Sequence, residues 1–407
     1  MTLYQNFFQA ALDKVHEEGR YRHFASLERI KGNYPLAYLS TEAGRRVVTI
    51  WCSNDYLGLG QDPKIIDSMK ISLDQYGAGA GGTRNISGTS VLHSQLEKQL
   101  AAAHGCESAL LFTSGYAANE ATLSTLLRHL PGVVVFSDEC NHASIIHGIR
   151  ISGAQKEVFK HNNVSDLEQK LAKYDQNTPK IIVFESLYSM DGDFAPVSKI
   201  CDLAKKYNCL TYVDEVHAVG IYGKNGMGYI EEIGESSRID ILQANFGKAF
   251  GIIGGYIAAN STLVDFIRSY APPFIFTTAL PPAIISGIQM GLDLIQKNNQ
   301  RRTDLWTVVN QTKSCLLEAG FVFLDSDSHI IPLIVGDARL CKKVTDRLLH
   351  KHNIYVQPIN YPTVPKGTER LRITPNPTHT PDMIHALVEA CLETWHYFML
   401  PLQKKSA

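Results

Sequence analysis

The sequence predicts an α/β fold, in which a large domain built on a mostly parallel β-sheet is followed by a smaller α+β C-terminal domain. Short apolar runs rich in β-branched residues recur through the middle of the chain, and helical patterns such as residues 197–208 separate them. Strands that are buried on both faces and alternate with helices are typical of parallel sheets. The predicted strands lie within residues 108–116, 132–142, 180–189, 210–217 and 240–248.

The same patterns divide the chain into an N-terminal helix and arm, a large domain and a small domain, at residues 1–50, 51–290 and 291–407. The first part is predicted to form an amphipathic helix over residues 7–18 and then an irregular arm. A helical pattern over residues 285–300 is predicted to connect the two domains. In the small domain a helix and short strands alternate, at residues 306–319, 331–335, 353–356 and 371–374.

Composition excludes several classes of protein. Of the 407 residues 44% are hydrophobic and 19% are charged, which favours a large buried core over disorder or a coiled coil. The net charge is -1 and no basic stripe is visible, so we expect no nucleic-acid partner. No apolar run approaches the roughly 18–20 residues of a membrane span, and the first residues lack the features of a secretory or mitochondrial leader. These features predict a cytoplasmic protein of bacterial type, or one already processed.

The eight cysteines are scattered and form no C-x-x-C pair. We therefore expect free, buried thiols in a reducing compartment and no metal site.

In open parallel sheets, ligands bind outside the carboxyl ends of the strands. The predicted strands end in polar or small residues, which would share one edge of the sheet. The residues placed there are Ser114, His142, Ser189, Asp214, His217 and Lys248.

The glycine-rich segment GAGAGG, residues 77–82, matches the dinucleotide pattern G-x-G-x-x-G only formally. A helical pattern precedes it and no helix follows at once, so the context of that motif is missing. Four glycines in six residues indicate instead a close approach of the backbone to a ligand or another chain.

Lys248 lies between glycines just beyond a predicted strand, close to Phe246 and Phe250. Such lysines are usually solvated, but apolar surroundings favour the uncharged, nucleophilic amine. Asp214 ends the strand before it, 34 residues earlier, so one strand-helix-strand repeat separates the two. It either caps a helix or holds a pyridinium nitrogen protonated, and His142 either starts a helix or stacks on an aromatic ring. Together at one sheet edge, the three residues point to a pyridoxal phosphate enzyme.

Nine motifs that run almost from end to end resemble the α-oxoamine synthases, a family of fold type I pyridoxal phosphate enzymes, and among them the aminolevulinate synthase branch. NHAS, SMDGD and DEVHAVG are similar to the wider family, whereas EGRYR, GGTRNISG and INYPTVPKGTERLR are similar to that branch. The resemblance implies a large domain with a seven-stranded, mostly parallel sheet. The motifs occupy residues 18–24, 53–60, 81–89, 137–150, 184–196, 212–223, 247–258, 269–282 and 355–375.

The resemblance also implies residue roles. Lys248 matches the lysine that binds the cofactor and acts as acid and base, Asp214 matches the partner of the pyridine nitrogen, and His142 matches the stacking ring. Further cofactor contacts are implied at Ser114, Gly115, Tyr116, Ser189, His217, Asn245, Thr277 and Thr278, the last two reaching the phosphate of a second subunit. The substrate contacts implied are Arg372 for the glycine carboxylate, Arg22, Thr83, Asn85 and Thr363 for the succinyl carboxylate, and Ser137 and Lys156 for succinyl-coenzyme A.

The implied reaction is the condensation of glycine with succinyl-coenzyme A by a homodimer with interfacial sites. It would yield 5-aminolevulinate, coenzyme A and carbon dioxide, the first step of tetrapyrrole and haem synthesis.

Some positions depart from the family pattern. Ala244 and Asn245 stand where a threonine usually meets the phosphate, Ala80 replaces a serine, and Pro273 replaces a glycine. Asn245 can still donate to a phosphate oxygen. We expect a divergent but active enzyme because Lys248 is retained.

Two alternatives remain open from the sequence. One keeps the chemistry but uses another acyl donor, as relatives that make 2-amino-3-ketobutyrate, 8-amino-7-oxononanoate or 3-ketosphinganine do. Arg22 and Asn85 favour a short donor with a terminal carboxylate, because a buried charge needs a partner. The other alternative is a catalytically silent dimeric paralogue, which the presence of Lys248 disfavours.

Overall fold

The structure is a computed structural model that describes residues 2–42, 44–324 and 326–403. Its strands are, in chain order, β1 (Ser26–Arg29), β2 (Leu36–Thr41), β3 (Gly44–Ile50), β4 (Ser108–Phe112), β5 (Val134–Asp138), β6 (Gln155–Phe159), β7 (Lys180–Glu185), β8 (Leu210–Asp214), β9 (Ile241–Asn245), β10 (Gly255–Ala259), β11 (Ile331–Ile334), β12 (Ile354–Tyr355), β13 (Pro358–Ile359) and β14 (Arg370–Ile373).

Helices separate most of these strands. They are α1 (Leu3–Glu17), α2 (Pro63–Tyr76), α3 (Val91–His104), α4 (Gly115–His129), α5 (Ala143–Ser152), α6 (Val164–Leu171), α7 (Val197–Tyr207), α8 (Tyr229–Glu232), α9 (Ser261–Tyr270), α10 (Pro272–Ile275), α11 (Pro282–Lys297), α12 (Gln300–Glu318), α13 (Ala338–His352) and α14 (Pro381–Tyr397).

The chain forms two compact units. The larger unit comprises Leu59–Tyr188 and Phe194–Gln300, and the smaller unit comprises Met1–Gly58, Ser189–Asp193 and Arg301–Ala407. The division predicted from the sequence, at residues 1–50, 51–290 and 291–407, stays a prediction, and it differs from these units in separating residues 1–50 from the C-terminal part.

The larger unit is built on a seven-stranded sheet of order β4-β10-β9-β8-β7-β5-β6. Among these seven strands only β10 runs opposite to the other six, so the prediction of a mostly parallel sheet is confirmed. All six residues of β7 are buried, as expected for a strand covered on both faces. Helices α4 and α5 pack on the sheet through an apolar cluster that includes Leu110, Leu123 and Ile145.

Two strands of this sheet were not predicted. The edge strand β6 has the polar sequence QKEVF and buries only its last residue, so no apolar run marks it. Strand β10, of sequence GYIAA, is fully buried but lies directly after the glycine-rich turn that follows Lys248.

The smaller unit contains a four-stranded sheet of order β1-β2-β3-β12 and a three-stranded antiparallel sheet of order β11-β14-β13. The prediction of an irregular arm after α1 is therefore wrong. Strands β1, β2 and β3 pair antiparallel, and Ala37, Leu39, Val48 and Ile50 form one buried face. The alternation is short and is interrupted by charged residues of β3, which hid it in the sequence.

The helix boundaries shift slightly from those predicted. Helix α1 starts at Leu3 because Thr2 and Gln5 form a capping box, and α12 starts at Gln300, six residues before the predicted start. Pro273 lies in the first turn of α10, where a missing N–H group leaves no acceptor unpaired.

All eight cysteines are free thiols, but the prediction that they are buried is only partly right. Cys201, Cys341 and Cys391 are buried, Cys140 is exposed, and the other four are half-buried. In the described residues no helix is long and apolar enough to cross a membrane.

Candidate functional site

The carboxyl ends of β5, β7, β8 and β9 meet at one edge of the larger unit's sheet. Asp214 ends β8 and pairs in register with Glu185 of β7 on one side and with Gln243 of β9 on the other. Lys248 follows the end of β9 by three residues. The inference that Asp214 and Lys248 lie at the ends of neighbouring strands is therefore confirmed.

Asp214 is buried and its carboxylate is held on both oxygens. Oδ2 accepts a hydrogen bond from Asn119 Nδ2 at 2.9 Å, and Oδ1 accepts one from the backbone N–H of Val216 at 2.9 Å. Burial raises the pKa of Asp214, whereas these hydrogen bonds and the nearby His142 and Lys248 oppose the rise. A cation placed against this carboxylate would stabilise its charged form further.

His142 begins helix α5 as its N-cap, with an exposed ring. The backbone N–H of Ser144 donates to Nδ1 at 3.2 Å, so Nδ1 is an acceptor and the neutral ring carries its proton on Nε2. Desolvation by the surrounding protein lowers the pKa of His142, and Lys248 lowers it further while Asp214 opposes this. The ring therefore stays uncharged near neutral pH and can stack on a planar ligand.

A hydrogen-bond network joins Asp214 to His142. Asn119 Nδ2 donates to Ser144 Oγ at 3.0 Å as well as to Asp214, and Ser144 Oγ lies 2.7 Å from His142 Nδ1. The Tyr212 hydroxyl donates to the oxygen of the same Asn119 amide at 2.6 Å. One buried amide thus fixes both site residues at once.

Lys248 is half-buried in the turn between β9 and β10. Its backbone oxygen accepts the N–H of Gly251 at 2.8 Å, and the rings of Phe246 and Phe250 beside it in sequence are fully buried. Its charge acts on both His142 and Asp214, which places the three groups in one electrostatic environment.

The start of helix α4 offers a cradle for an anion. Ser114 caps the helix, since Oγ accepts the N–H of Ala117 at 3.0 Å, and within the described chain the N–H groups of Gly115 and Tyr116 keep no intrahelical acceptor. A side chain at Gly115 would meet Asn245 Cβ at 3.0 Å, so Asn245 lies against the helix start. Asn245 Oδ1 is buried and has no hydrogen-bond partner among the described residues.

Thr83 and Asn85 lie together in the larger unit, beside Thr277 and Thr278. Thr83 Oγ1 donates to Asn85 Oδ1 at 2.6 Å, and Thr83 pairs with Thr278 in a short antiparallel bridge. Thr277 and Thr278 also line a small cavity with Arg84, so the chain after the glycine-rich segment lies against the two threonines.

Helix α2 ends just before the glycine-rich segment, and a single wide helical turn, Arg84–Gly88, follows it. A side chain at Gly88 would meet the carbonyl oxygen of Gly82 at 2.2 Å. Gly88 therefore packs closely on the backbone of Gly82, whereas the close approach of residues 77–82 to a ligand or another chain stays a prediction.

Three other predicted residues of the larger unit differ in how far they are buried. His217 is buried in the loop after β8. Ser137 is buried inside β5 and its hydroxyl accepts Asn141 Nδ2 at 2.9 Å, whereas Lys156 is exposed on β6.

The smaller unit buries Arg372 in the middle of β14. Its guanidinium donates to the backbone oxygen of Ser189 at 2.6 Å, to Asn54 Oδ1 at 3.0 Å and to the Tyr56 hydroxyl at 2.6 Å. All three acceptors are uncharged. Arg370, two residues earlier, instead forms an ion pair with Asp191 at 2.6 Å. A buried guanidinium whose partners are neutral is well suited to bind a carboxylate.

Arg22 and Thr363 also lie together in the smaller unit. Arg22 donates to Thr363 Oγ1 at 3.3 Å, and both line a groove of about 620 Å³ that Arg20 and Lys342 border as well. The structure therefore brings together two of the four residues predicted to bind the succinyl carboxylate, and their role as ligands stays a prediction.

The sequence analysis missed several residues that hold the site. Asn119, Ser144 and Glu185 hold Asp214 and His142 in the larger unit, and Asn54 and Tyr56 hold Arg372 in the smaller one. Ser144, Asn54, Tyr56 and Glu185 lie in motifs that were recognised, so these motifs were the available signal. Asn119 had no signal beyond its place one turn into a helix that starts at a strand end.

Among the described residues, Asp138, Cys140 and His161 bring potential metal-ligand atoms within 4.8 Å of one another. Asp138 Oδ1 already accepts hydrogen bonds from the Cys140 N–H at 2.8 Å and from His161 Nδ1 at 2.9 Å. This arrangement ties the turn after β5 to the chain after β6.

Comparison with known proteins identifies relatives along nearly the whole chain. The family model described as aminotransferase class I and II matches residues 46–391. The 5-aminolevulinate synthase of Bradyrhizobium diazoefficiens is 53% identical over 403 residues, which cover 99% of this chain and 98% of the relative. That of Rhizobium meliloti is 53% identical over 392 residues, or 96% of this chain and 97% of the relative.

The fold also matches solved structures. A serine palmitoyltransferase from S. paucimobilis with a bound PLP–myriocin aldimine is similar with a TM-score of 0.91 and 28% identity, covering 98% of this chain and 100% of that chain. The predicted fold class, that of type I pyridoxal phosphate transferases, is confirmed.

Proposed function

This chain belongs to the 5-aminolevulinate synthase family, and we propose that the edge formed by Asp214, His142 and Lys248 is where it condenses glycine with succinyl-coenzyme A. The products are 5-aminolevulinate, coenzyme A and carbon dioxide. The observation that supports this site best is the place of Lys248, directly beyond the strand next to the buried Asp214.

The residues at this edge fit pyridoxal phosphate, the cofactor of the family. Asp214 offers a buried carboxylate for the ring nitrogen, and the exposed, neutral His142 ring offers a stacking surface. The start of α4 offers two N–H groups to the phosphate. If the Asn245 amide turns over, Nδ2 takes the place of the unpartnered Oδ1 and can donate a hydrogen bond to the phosphate. The remaining cofactor contacts proposed are Ser189, His217, Thr277 and Thr278.

When bound, the cofactor withdraws electron density from the α-carbon of glycine, which lets the α-proton leave. Lys248 takes that proton as a base and later returns a proton as an acid. Asp214 keeps a negative charge at the ring nitrogen and so holds a proton there. Asn119 fixes the Asp214 carboxylate in position throughout.

Arg372 is proposed to bind the glycine carboxylate, because its fork of N–H donors suits two carboxylate oxygens. Arg22 and Thr363 of the smaller unit, and Thr83 and Asn85 of the larger unit, are proposed to bind the succinyl carboxylate. Ser137 and Lys156 are proposed as contacts to coenzyme A. For Ser137 this requires that its buried hydroxyl give up the hydrogen bond it accepts from Asn141 Nδ2 and bind coenzyme A instead.

We further propose a homodimer in which Thr277 and Thr278 contact the phosphate held by the second subunit. The exposed Thr278 supports this, since its backbone is already fixed by the bridge to Thr83. The localisation predicted from the sequence, the cytoplasm, stays a prediction.

A panel of acyl-coenzyme A donors tests the substrate assignment. Purified protein loaded with pyridoxal phosphate is mixed with glycine and each donor, coenzyme A release is followed, and the amino ketone is identified by mass. We expect turnover with succinyl-coenzyme A and release of 5-aminolevulinate. Turnover only with a long-chain or uncharged donor would contradict the assignment and favour an enzyme closer to the structurally similar palmitoyltransferase. Protein that never becomes yellow with the cofactor would favour the silent paralogue.

A further inference from the structure

Glu185 and Asp214 form a pair of buried carboxyl groups on neighbouring strands. They pair in register at the ends of β7 and β8, so their side chains project from the same face of the sheet. Their exposed fractions are only 3% and 4%. Two negative charges at such positions, shielded from water, would repel each other strongly.

Glu185 also holds the helix that carries His142. Its Oε1 accepts the backbone N–H of His142 at 2.6 Å, at the start of α5, where no intrahelical acceptor exists for that group. Since His142 is the N-cap of α5, this hydrogen bond ties the end of β7 to the start of the helix. The His142 ring is then oriented by Ser144.

The surroundings decide which carboxyl group carries the charge. Asp214 accepts a donor on each oxygen, from Asn119 and Val216, and these bonds favour its ionised form. Burial, then the charge of Asp214, raises the pKa of Glu185 well above its ordinary value, with Asp138 adding to the rise. The His142 N–H and His161 oppose this rise, and Tyr188 packs beside the same group.

We propose that Glu185 is a positioning residue that remains uncharged next to Asp214, an inference that rests on the proposed function. It fixes the His142 backbone for stacking on the cofactor and leaves the negative charge of the strand pair to Asp214 alone. A neutral side chain of the same shape should then serve in its place, whereas a truncated one should not.

The pH dependence of stability tests the charge state without using turnover. The full chain is unfolded in denaturant between pH 5.5 and 7.5, with bound cofactor and after its removal, for the native protein, for Glu185→Gln and for Glu139→Gln. Glu139 is a matched control, because it also accepts a backbone N–H, that of His161 at 2.9 Å, but is exposed.

The sign follows from proton linkage. A Glu185 that is protonated in the fold but ionised in the unfolded chain above about pH 4.5 releases a proton on unfolding, so rising pH destabilises the native protein. Glu185→Gln lacks this effect. The unfolding constant of the native protein relative to Glu185→Gln should therefore rise by up to about tenfold per pH unit, while the ratio for Glu139→Gln stays constant.

A ratio that stays flat or falls with pH would overturn the proposal, and so would failure of Glu185→Gln to fold when Glu139→Gln folds. A second readout addresses position. Glu185→Ala should shift the absorbance band of the bound cofactor and lose at least about tenfold more turnover than Glu185→Gln; equal behaviour of the two variants would contradict a positioning role. If the native protein does not use succinyl-coenzyme A, the proposed function fails while the unfolding result still decides the state of Glu185.

Discussion

The carboxyl edge of the seven-stranded sheet and strand β14 both bury ionisable side chains, but they stabilise them differently. At the sheet edge, Asp214 and Glu185 receive hydrogen bonds from amide and backbone N–H groups, and burial raises the pKa of each. On β14, Arg370 has an acidic partner in Asp191, whereas Arg372 is surrounded by neutral oxygens.

This difference distinguishes charged groups that stabilise the fold from charged groups that are suited to bind a ligand. The Arg370–Asp191 pair balances its own charge, so it has little to gain from a substrate. Asp214 and Arg372 are instead held by hydrogen bonds to neutral groups, and near Asp214 the side chains of Lys248 and His142 also favour the charged carboxylate. Opposite charge on a cofactor or substrate would be bound most strongly at such groups.

Among the charged residues of these two regions, the largest effect on turnover should come from removing the charge of Asp214 without changing its shape. Asp214→Asn can no longer hold a proton on the ring nitrogen, and we expect turnover to fall by about 10²–10³-fold, as for the loss of other preorganised electrostatic groups. Steady-state kinetics with succinyl-coenzyme A measure this, with circular dichroism as the control for folding. Turnover within a few-fold of the native value would mean that the buried charge is only structural.

Arg372 and Arg370 provide a matched pair for the second test. Arg372→Leu should raise the KM for glycine by about 100-fold, because two charge-assisted hydrogen bonds to the carboxylate are lost. Arg370→Leu should lower stability, since Asp191 loses its partner, but leave the KM for glycine unchanged. Equal changes in the KM for glycine in both variants would show that Arg372 is no more important than Arg370 for binding the glycine carboxylate.

Site residues that follow from a local strand pattern could be predicted from the sequence, whereas residues that depend on contacts between distant elements could not. Asp214 and Lys248 were predicted because each follows an apolar strand, and the topology of parallel strands brings such ends together. Asn119 and Glu185 were not predicted as site residues, because their partners come from other elements and depend on the packing of α4 and α5 on the sheet.

The same reasoning explains errors in the fold. Strands β1–β3 and β12 form a sheet from segments about 300 residues apart in the chain, and β12 is only two residues long, so local patterns carry little information about it. The antiparallel β10 was missed because its one glycine and two alanines are poor strand signals.

Arg22 should have a smaller effect than Arg372, because it is exposed and its hydrogen bond to Thr363 is long. Arg22→Leu should lower kcat/KM for succinyl-coenzyme A by about tenfold relative to butyryl-coenzyme A, which has the same chain length without the carboxylate. Arg45→Leu, which breaks an exposed ion pair with Glu28, is the control. A donor preference that stays unchanged in Arg22→Leu would exclude Arg22 from donor selection.

The smallest effect is expected at Glu393, a half-buried acid of α14 that contacts Arg347, Lys351 and His352. Hydrogen bonds from Lys351 and then Arg347 lower the pKa of Glu393 to about 2. Because this carboxyl is ionised more readily in the fold, its contribution to stability is present above about pH 4.5 and disappears as the pH falls towards 2.

Glu393→Gln should therefore lower the melting temperature slightly at pH 7, by an amount that shrinks in acid and at high salt. Thermal unfolding at pH 7 and pH 2.5, with and without 1 M salt, checks this. A difference that grows in acid would contradict the assigned sign.

The exchange of the glycine α-proton with deuterium tests the central claim most directly. Native protein and Lys248→Ala, both loaded with pyridoxal phosphate, are mixed with glycine in D₂O without an acyl donor, and the α-proton signal is followed by NMR. If Lys248 moves that proton, exchange should be at least about 10²–10⁴-fold slower in Lys248→Ala than in the native protein. Exchange at the native rate in Lys248→Ala would show that another group is the base and that the place of Lys248 beside Asp214 serves another purpose.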